Sequence, residues 1–396
     1  MNVTIPENRM RQRVFTPGPT QIPERVTVAM SQPFPYHRGP EFKKIFAEVT
    51  ANLQYVFQTQ SEVLLLTASG TGGMEACVAN LLLSGQKALV IVAGKFGERW
   101  QELCAAFNIE TVGLEVPWGE APNLDALKTL LQKHADVAAV FCTHNETSTG
   151  VVSDVKAIAE LARAHTDALV VVDGITSVGV LPLYMDKWHI DVCVTGSQKG
   201  VMVPPGMAYV ALSERALKRY ETYQSEASYK KRRLPHYYLD FGKARETAKE
   251  QMTAWTPAIT LLMGLQESLR MMRATGLENL WQHYAKLAQA VRAAVQALGL
   301  ELFAQAPSNA LTSVKVPDGI DGRKLVETLR AQYGVTIAGG QGPLKGKIFR
   351  MTHMGYYDHL DMVALIAALE LALRDLGWKF ELGAGLAAMQ KSHVGD

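Results

Sequence analysis

Short apolar runs alternate with amphipathic helical patterns between about residue 41 and residue 250, and this alternation constrains the fold more than any other feature. The runs are rich in β-branched residues, and they predict strands at residues 63–66, 88–92, 137–143, 168–172, 192–195 and 208–212. Residues 124–134 and 155–165 have the periodicity of helices. Strands that alternate with helices indicate βαβ units and a mostly parallel sheet. Because the strands are apolar throughout, we expect helices to cover both faces of the sheet.

A second, smaller region follows. A long helical pattern over residues 258–298 leads into a strand at 310–316, a helix at 323–333, a strand at 348–351 and a helix at 359–376, with one short element after Trp378. The opening stretch 16–23 is rich in Pro and Gly and predicts an extended arm. A chain of 396 residues is long enough for two domains. We therefore predict an arm over residues 1–25, a large α/β domain over 26–270 and a small α+β domain over 271–396.

Composition narrows the class of protein. Hydrophobic residues make up 48% of the chain and the net charge is only +2, so we expect neither nucleic acid nor a membrane surface as partner. The first 13 residues lack the apolar segment of a signal peptide, and no window of about 18 residues has the composition of a membrane span. The four cysteines are widely spaced and lack a metal-binding pattern, which favours reduced thiols in the cytoplasm and no metal site.

Ser69, Gly70 and Thr71 form a glycine-rich turn between the strand at 63–66 and an apolar helix. The free N–H groups at a helix start, together with two hydroxyls, can bind a phosphate. The turn has neither the Gly-Lys-Ser/Thr of a P-loop nor a clean GxGxxG. By itself, such a turn has a purely structural role as often as it binds a ligand.

Three further features follow later strands. A polar cluster over residues 144–150, which includes Thr147, can donate hydroxyl hydrogen bonds or simply turn the chain. Asp173 ends an apolar strand, where it could keep a pyridine nitrogen protonated or cap the next turn. Lys199 lies among small residues after the strand at 192–195. Partial burial would lower its pKa and free the amine for a Schiff base, although a lone lysine of this kind is more often a surface residue.

The order of these features favours one cofactor. In parallel sheets, ligands bind at the carboxyl ends of the strands. Pyridoxal phosphate (PLP) has an aldehyde that needs a lysine, a pyridine nitrogen that needs a carboxylate and a phosphate that needs a helix start. A nucleotide-binding dehydrogenase would explain only the turn, and residues 88–93 lack the acidic ribose partner expected about 20 residues after it.

At these residues the chain resembles the class V aminotransferases of PLP fold type I, in particular the alanine–glyoxylate and serine–glyoxylate (serine–pyruvate) enzymes. The resemblance extends from Thr16 to Met351, and its most specific motif is residues 195–199. It implies a seven-stranded, mostly parallel sheet and a homodimer with shared active sites. It also implies ping-pong transfer of an amino group from a small amino acid (serine, alanine or aspartate) to a small 2-oxo acid such as glyoxylate or pyruvate.

The resemblance implies a role for each residue of the cofactor site. Lys199 would hold PLP as a Schiff base and then move the proton, and Asp173 would pair with the pyridine nitrogen. Ile175 would pack beneath the ring, Phe96 would stack on it, and Thr147 would contact the side that bears the 3-hydroxyl. The phosphate would be bound by Ser69, Gly70, Thr71 and Gln198, and by Thr256 of the neighbouring subunit.

The resemblance also bears on the substrate. Arg350 would bind its α-carboxylate as a bidentate pair, and the arm at residues 17–19 would help to line the site. Thr253 stands where many relatives have a tyrosine that contacts the neighbour's phosphate. A second carboxylate on the substrate would need another cation, for which Arg38 and the basic residues 230–233 are candidates, unless they are solvated surface charges.

Several alternatives remain open. A phosphoserine or phosphonate aminotransferase, or a broad-specificity aspartate aminotransferase, would use the same fold. A PLP lyase of the cysteine desulfurase type is disfavoured, because it needs a late nucleophilic cysteine and no cysteine follows Cys193. The hypotheses of an NAD-dependent dehydrogenase and of a binding protein without activity account for fewer of these residues than an aminotransferase does.

Overall fold

The computed structural model describes residues 11–394. The strands, in chain order, are β1 (Arg13–Val14), β2 (Glu62–Leu66), β3 (Lys87–Val92), β4 (Glu110–Glu115), β5 (Ala139–Thr143), β6 (Asn145–Glu146), β7 (Val151–Val152), β8 (Leu169–Asp173), β9 (Val192–Gly196), β10 (Ala208–Leu212), β11 (Leu311–Lys315), β12 (Val335–Thr336), β13 (Ala338–Gly339) and β14 (Ile348–Thr352).

The α-helices are α1 (Glu24–Met30), α2 (Pro40–Phe57), α3 (Gly70–Leu81), α4 (Lys95–Ala106), α5 (Leu124–Lys133), α6 (Val155–His165), α7 (Glu214–Ser225), α8 (Phe241–Ala248), α9 (Ile259–Thr275), α10 (Leu277–Ala297), α11 (Gly322–Tyr333), α12 (His359–Asp375) and α13 (Ala384–Val394). Two short 3₁₀ helices, Ala227–Arg232 and Gly342–Leu344, complete the set.

The central sheet has seven strands in the order β2-β10-β9-β8-β5-β3-β4. Strand β10 is antiparallel to both of its neighbours, whereas the other pairings are parallel. The expected mostly parallel sheet of an α/β fold is therefore confirmed. Because six strands point the same way, the segments that follow β2, β3, β5, β8 and β9 meet at one edge of the sheet.

Both faces of this sheet are buried. Successive residues of a strand point to opposite faces, and the apolar residues of β8 divide accordingly. Val170 and Val172 belong to one apolar cluster, and Leu169 and Val171 belong to another. Helices α2, α6 and α9 contribute to the first cluster, and α3, α4 and α7 contribute to the second. The uninterrupted apolar strands of the sequence are thus explained by helices on both sides.

Two predictions of secondary structure were wrong. Strand β4 was missed because Leu114 is its only buried residue and its other positions are polar or small, as expected of an edge strand. The single helix predicted at 258–298 is two helices, because Gly276 has a φ of 83° and ends α9. Glycine adopts this left-handed backbone without the strain that a side chain would cause.

The small C-terminal region has its own core. Strands β11, β14 and β13 form an antiparallel sheet, and α10, α11 and α12 pack against it. Helix α10 joins the two cores, since Leu277 belongs to the large cluster and residues from Leu287 onward belong to the small one. This division supports the three-part organisation that we propose: arm 1–25, large domain 26–270 and small domain 271–396. The arm's first ten residues lie outside the described range.

Within residues 11–394, no helix is long and apolar enough to cross a membrane. In the same range, no group of three or more His, Cys, Asp or Glu side chains has the arrangement of a metal site. The four cysteines are free and buried. Burial raises the pKa of each thiol, that of Cys104 to about 12, so these thiols are poor nucleophiles.

Candidate active site

Lys199 lies in the turn after β9 and is only 8% exposed. Its Nζ donates a hydrogen bond to the carbonyl oxygen of Pro17 at 2.5 Å. Burial lowers the pKa of the amine to about 8, although the carboxylate of Asp173 partly opposes the shift. About a tenth of this amine is therefore neutral at pH 7 and able to act as a nucleophile, far more than for a lysine with the ordinary pKa.

The arm covers this lysine. The backbone N–H of Thr20 donates to the carbonyl of Gln198 at 3.1 Å, and the Thr20 hydroxyl donates to the carbonyl of Lys199 at 3.0 Å. Gly18 has a φ of 125°, and a Cβ added to it would lie 2.2 Å from Lys199 Nζ. The chain passes so close to the amine that only glycine fits at this position.

Asp173 ends β8 and is 3% exposed. One carboxylate oxygen accepts a hydrogen bond from the Ile175 N–H at 2.8 Å, so the residue does cap the following turn. The other oxygen has no hydrogen-bond partner among residues 11–394. Burial raises the pKa of Asp173 to about 7, and the nearby positive charges of Arg99 and Lys199 partly oppose the shift. The second oxygen can therefore accept a hydrogen bond from a ligand.

The glycine-rich turn begins helix α3 beside these residues. The first N–H groups of a helix, here those of Gly70 and Thr71, lack intrahelical acceptors. Ser69 is exposed and its side chain makes no cap hydrogen bond. A Cβ on Gly70 would lie 2.5 Å from Cδ1 of Ile175, so the Ile175 side chain packs against the start of the helix. The side-chain oxygen of Gln198 is buried there without a partner.

Arg350, on β14 of the small domain, reaches the same edge and is 5% exposed. Its guanidinium donates to the carbonyl of Thr147 at 2.7 Å and to that of Gly339 at 2.7 and 3.1 Å. Burial lowers its pKa to about 10. No carboxylate lies within 4 Å of it in the described part of the chain, so its charge is available to an anionic ligand.

Of the remaining predicted residues, some lie at this edge of the sheet and others lie away from it. Thr147 lies in the site, and its hydroxyl donates to that of Thr176 at 3.0 Å. Phe96 is half-buried in the first turn of α4, at the carboxyl end of β3. Thr256 is exposed between α8 and α9, and no hydrogen bond joins its side chain to the site. The adjoining Thr253 hydroxyl donates to the carbonyl of Trp255 at 2.6 Å.

Within residues 11–394, the candidate second cations make no hydrogen bond or ion pair to the residues of the site. Arg38 is exposed just before α2. Arg232 donates to the carbonyl of Ser84 at 3.0 Å, and Arg233 donates to that of Tyr223 at 2.8 Å. Ser84 precedes the first residue of β3, whereas Lys199 follows the last residue of β9. The basic segment 230–233 therefore lies at the opposite edge of the sheet.

Sequence reasoning missed three residues of the site. Glu146 is fully buried, and its carboxylate accepts hydrogen bonds from the N–H groups of Phe96 (3.0 Å), Gly97 (3.2 Å) and Ser148 (3.0 Å). Thr176 bonds to both Asn145 and Thr147. The guanidinium of Arg99 lies 4.8 Å from the centre of the Phe96 ring. The sequence carried two signals: Glu146 lies in the polar cluster 144–150, to which no acceptor role was given, and Arg99 follows Phe96 by three residues, which puts both on one face of α4.

The fold and the site together define an α/β enzyme in which a buried lysine, a buried carboxyl group, a helix start with free N–H groups and a buried arginine meet at the carboxyl edge of the sheet. The model of the family described as Aminotransferase class-V matches residues 14–354, and the chain belongs to this family. The predicted family and the predicted reaction class, amino-group transfer, are confirmed.

Individual relatives match nearly the whole chain. The soluble hydrogenase small subunit of Synechococcus sp. is 42% identical, with 96% of this chain and 97% of that protein covered. The L-aspartate–glyoxylate aminotransferase of Paracoccus denitrificans is 36% identical, with 96% of each chain covered. The crystal structure of ureidoglycine–glyoxylate aminotransferase from Bacillus subtilis superposes with a TM-score of 0.92 at 29% identity and covers 100% of both chains.

Proposed function

We propose that this chain is a PLP-dependent aminotransferase that transfers an amino group from a small amino acid to glyoxylate or pyruvate by ping-pong chemistry. The observation that carries the proposal is the convergence of Lys199, Asp173 and Arg350 at one edge of the sheet. These three side chains come from two domains and are each at most 8% exposed. Burial of a lysine, a carboxylate and an arginine is unusual unless they bind something.

The residues present fit PLP. The amine of Lys199 can bind its aldehyde, the free oxygen of Asp173 can accept from its pyridine N–H, and the start of α3 can bind its phosphate. The buried polar atoms near this edge that lack partners within residues 11–394 include Thr143 Oγ1, Asn145 Oδ1 and Gln198 Oε1. Buried polar atoms are nearly always hydrogen-bonded, so these atoms support a bound polar ligand.

Lys199 serves as both nucleophile and base in this proposal. With a substrate bound, the neutral Nζ of Lys199 would take the proton from the substrate Cα and return it later in the transfer. When bound, PLP supplies an electron sink for the charge left by that proton. Asp173 maintains the positive charge on the ring nitrogen, and Arg350 orients the substrate by binding its carboxylate. The arm over Lys199 shields the amine from solvent.

The substrates follow from the site and the relatives. Arg350 suits the α-carboxylate that amino acids and 2-oxo acids share. The names of the Paracoccus and Bacillus enzymes both include glyoxylate, which supports glyoxylate as the acceptor here. Aspartate, serine and alanine are the donors to compare. For the phosphoserine alternative, this chain's own site offers neither Arg38 nor the segment 230–233.

We also propose a cytoplasmic homodimer in which Thr256 of each subunit reaches the phosphate of its neighbour. The exposure of Thr256 supports this arrangement. Tyr237 and Tyr238, which stack on Trp255 close to it, are 69% and 47% exposed. Light scattering measures the mass. Mixing inactive Lys199→Ala and Thr256→Ala chains should restore some activity, because a mixed dimer has one site with both residues intact.

Covalent capture tests the proposal directly. The protein is loaded with PLP, reduced with borohydride and digested, and the peptide that carries the added mass is identified. We expect Lys199 to be the modified residue, the visible absorbance of the bound cofactor to disappear when an amino-acid donor is added alone, and glyoxylate to restore it. Lys95→Ala is the matched control and should load normally. Capture at another lysine, or capture that persists in Lys199→Ala, would exclude the assigned attachment site.

A further inference from the structure

Arg99 is a cation of the site that the assigned roles do not use. It lies one helical turn after Phe96 on α4, half-buried, with its guanidinium over the Phe96 ring. Its Nη1 donates a hydrogen bond to the hydroxyl of Thr71 at 3.2 Å. No carboxylate lies within 4 Å of Arg99 in the part of the chain that the structure describes. A half-buried arginine without an acidic partner can bind an anionic ligand.

The direction of the Thr71 hydrogen bond matters. A guanidinium can only donate, so the Thr71 oxygen accepts and its own proton is free to be donated elsewhere. Thr71 is the second residue of α3, where the N–H groups of Gly70 and Thr71 also lack intrahelical acceptors. The two N–H groups, the Thr71 hydroxyl proton and the remaining N–H groups of Arg99 therefore have no acceptor among residues 11–394.

The positive charge of Arg99 affects the ionisation of two residues at the centre of the site, Asp173 and Lys199. The positive charge of Arg99 lowers the pKa values of both Asp173 and Lys199, so the guanidinium lies within electrostatic reach of both. The charged groups of this region are thus Lys199 and Asp173, with the buried Glu146 and Arg350 beyond them, so the cations outnumber the carboxyl groups. An anion beside Arg99 would offset an excess of positive charge in a region of low dielectric.

We propose that Arg99 binds the phosphate group of the cofactor, both directly and by orienting the Thr71 hydroxyl. This inference rests on the proposed function. A phosphate dianion matches the donor set, because it presents three acceptor oxygens and prefers arginine and helix starts. A purely structural role, in which Arg99 only packs on Phe96, would make no distinction between ligands with and without a phosphate.

The test compares PLP with pyridoxal, which has the same ring and aldehyde but no phosphate. Dissociation constants of both are measured by absorbance titration of the cofactor-free wild type, Arg99→Gln and Arg99→Lys. We expect Arg99→Gln to bind PLP roughly tenfold or more weakly, as for loss of a charge-assisted hydrogen bond. Its affinity for pyridoxal should stay within about threefold of wild type, and Arg99→Lys should recover part of the loss.

Arg273→Gln is the matched control, because Arg273 also lies over an aromatic ring, that of Tyr55 at 5.1 Å, and donates to one side chain, that of Asn52 at 3.1 Å. It should bind both compounds like the wild type. Equal weakening of PLP and pyridoxal in Arg99→Gln, or no weakening of either, would overturn the inference. Failure of the wild type to bind PLP would instead overturn the proposed function, so the two failures are distinguishable.

Discussion

The environment of Lys199 leaves no room for a side chain at Gly18. In Gly18→Ala, the new methyl group would displace the end of the lysine, and the positive φ would add about 1 to 3 kcal/mol of backbone strain. We expect PLP capture to be lost while the fold persists. The control is Gly319→Ala, since Gly319 has a φ of 83° and nothing within 4 Å of its added Cβ. Both variants should unfold at a lower temperature, since both place a side chain at a positive φ, whereas only Gly18→Ala should lose capture. Equal capture by both would contradict the close approach.

The protonation state of Lys199 predicts a pH dependence. Burial lowers its pKa from the ordinary 10.5 to about 8, and only the neutral amine attacks an aldehyde. The rate at which the cofactor-free protein captures PLP should therefore rise with pH and reach half of its maximum near pH 8. The Asp173 carboxylate raises the pKa of Lys199, so Asp173→Asn should move the midpoint to lower pH. Stopped-flow absorbance measures both. A wild-type midpoint near 10 would show that the amine is not buried.

Among the elements, α4 depends most on a residue far away in the chain. Glu146 accepts hydrogen bonds from two N–H groups of its first turn, and Ser148 accepts one from Lys95 at 3.0 Å. In Glu146→Ala the N–H groups of Phe96 and Gly97 lose their acceptor. We therefore expect the free energy of unfolding to fall by about 2 kcal/mol. Asn123→Ala, which removes an exposed cap from α5, should cost about 1 kcal/mol. Urea unfolding compares them, and an equal loss in both would refute the special role of Glu146.

The predictability of the elements follows from their burial. Strands β2, β3, β5, β8, β9 and β10 were predicted to within two residues, because each is an apolar run covered on both faces. Strand β4 was not, because an edge strand needs few apolar residues. The antiparallel direction of β10 was not foreseen either, since an apolar run has no preferred direction.

The site was predictable to the extent that its residues follow strands. Asp173 is the last residue of β8, and Ser69 and Lys199 follow the ends of β2 and β9 by three residues each. Because the carboxyl ends of parallel strands meet at one edge of the sheet, their positions in the sequence bring them together. Glu146 and Arg99 act through contacts with residues that are 50 and 28 positions away in sequence. Such contacts depend on how two loops meet, and no local pattern specifies that.

On the scale of the whole molecule, the arm connects the two domains at the site. Strand β1 pairs with β12, and the N–H of Thr352 donates to the carbonyl of Phe15 at 3.0 Å. The Tyr357 hydroxyl donates to the carbonyl of Val14 at 2.5 Å and accepts from the N–H of Gln21 at 3.3 Å. The same arm reaches Lys199 through Thr20. A shift of the small domain would therefore move the arm residues that cover Lys199.

Tyr357→Phe removes this double hydrogen bond without removing the ring. We expect amide hydrogen exchange in residues 14–21 to become faster and PLP to bind several-fold more weakly, because the arm covers the lysine less of the time. Tyr333→Phe is the control, since the Tyr333 hydroxyl bonds to Asp375 elsewhere in the small domain. Unchanged hydrogen exchange in the arm of Tyr357→Phe would show that the β1–β12 pairing and the Phe15 hydrogen bond are sufficient to fix the arm.

The backbone hydrogen bonds of Arg350 affect how the substrate specificity of such an enzyme can evolve. Its hydrogen-bond partners are the carbonyls of Thr147 and Gly339, which belong to the backbone and which no point mutation deletes. Side chains around it can therefore vary, under natural selection or in a mutant library, while the guanidinium keeps its orientation. With Arg350 in its proposed role, mutations in neighbouring side chains and loops could change the amino donor while the carboxylate that all donors share stays bound.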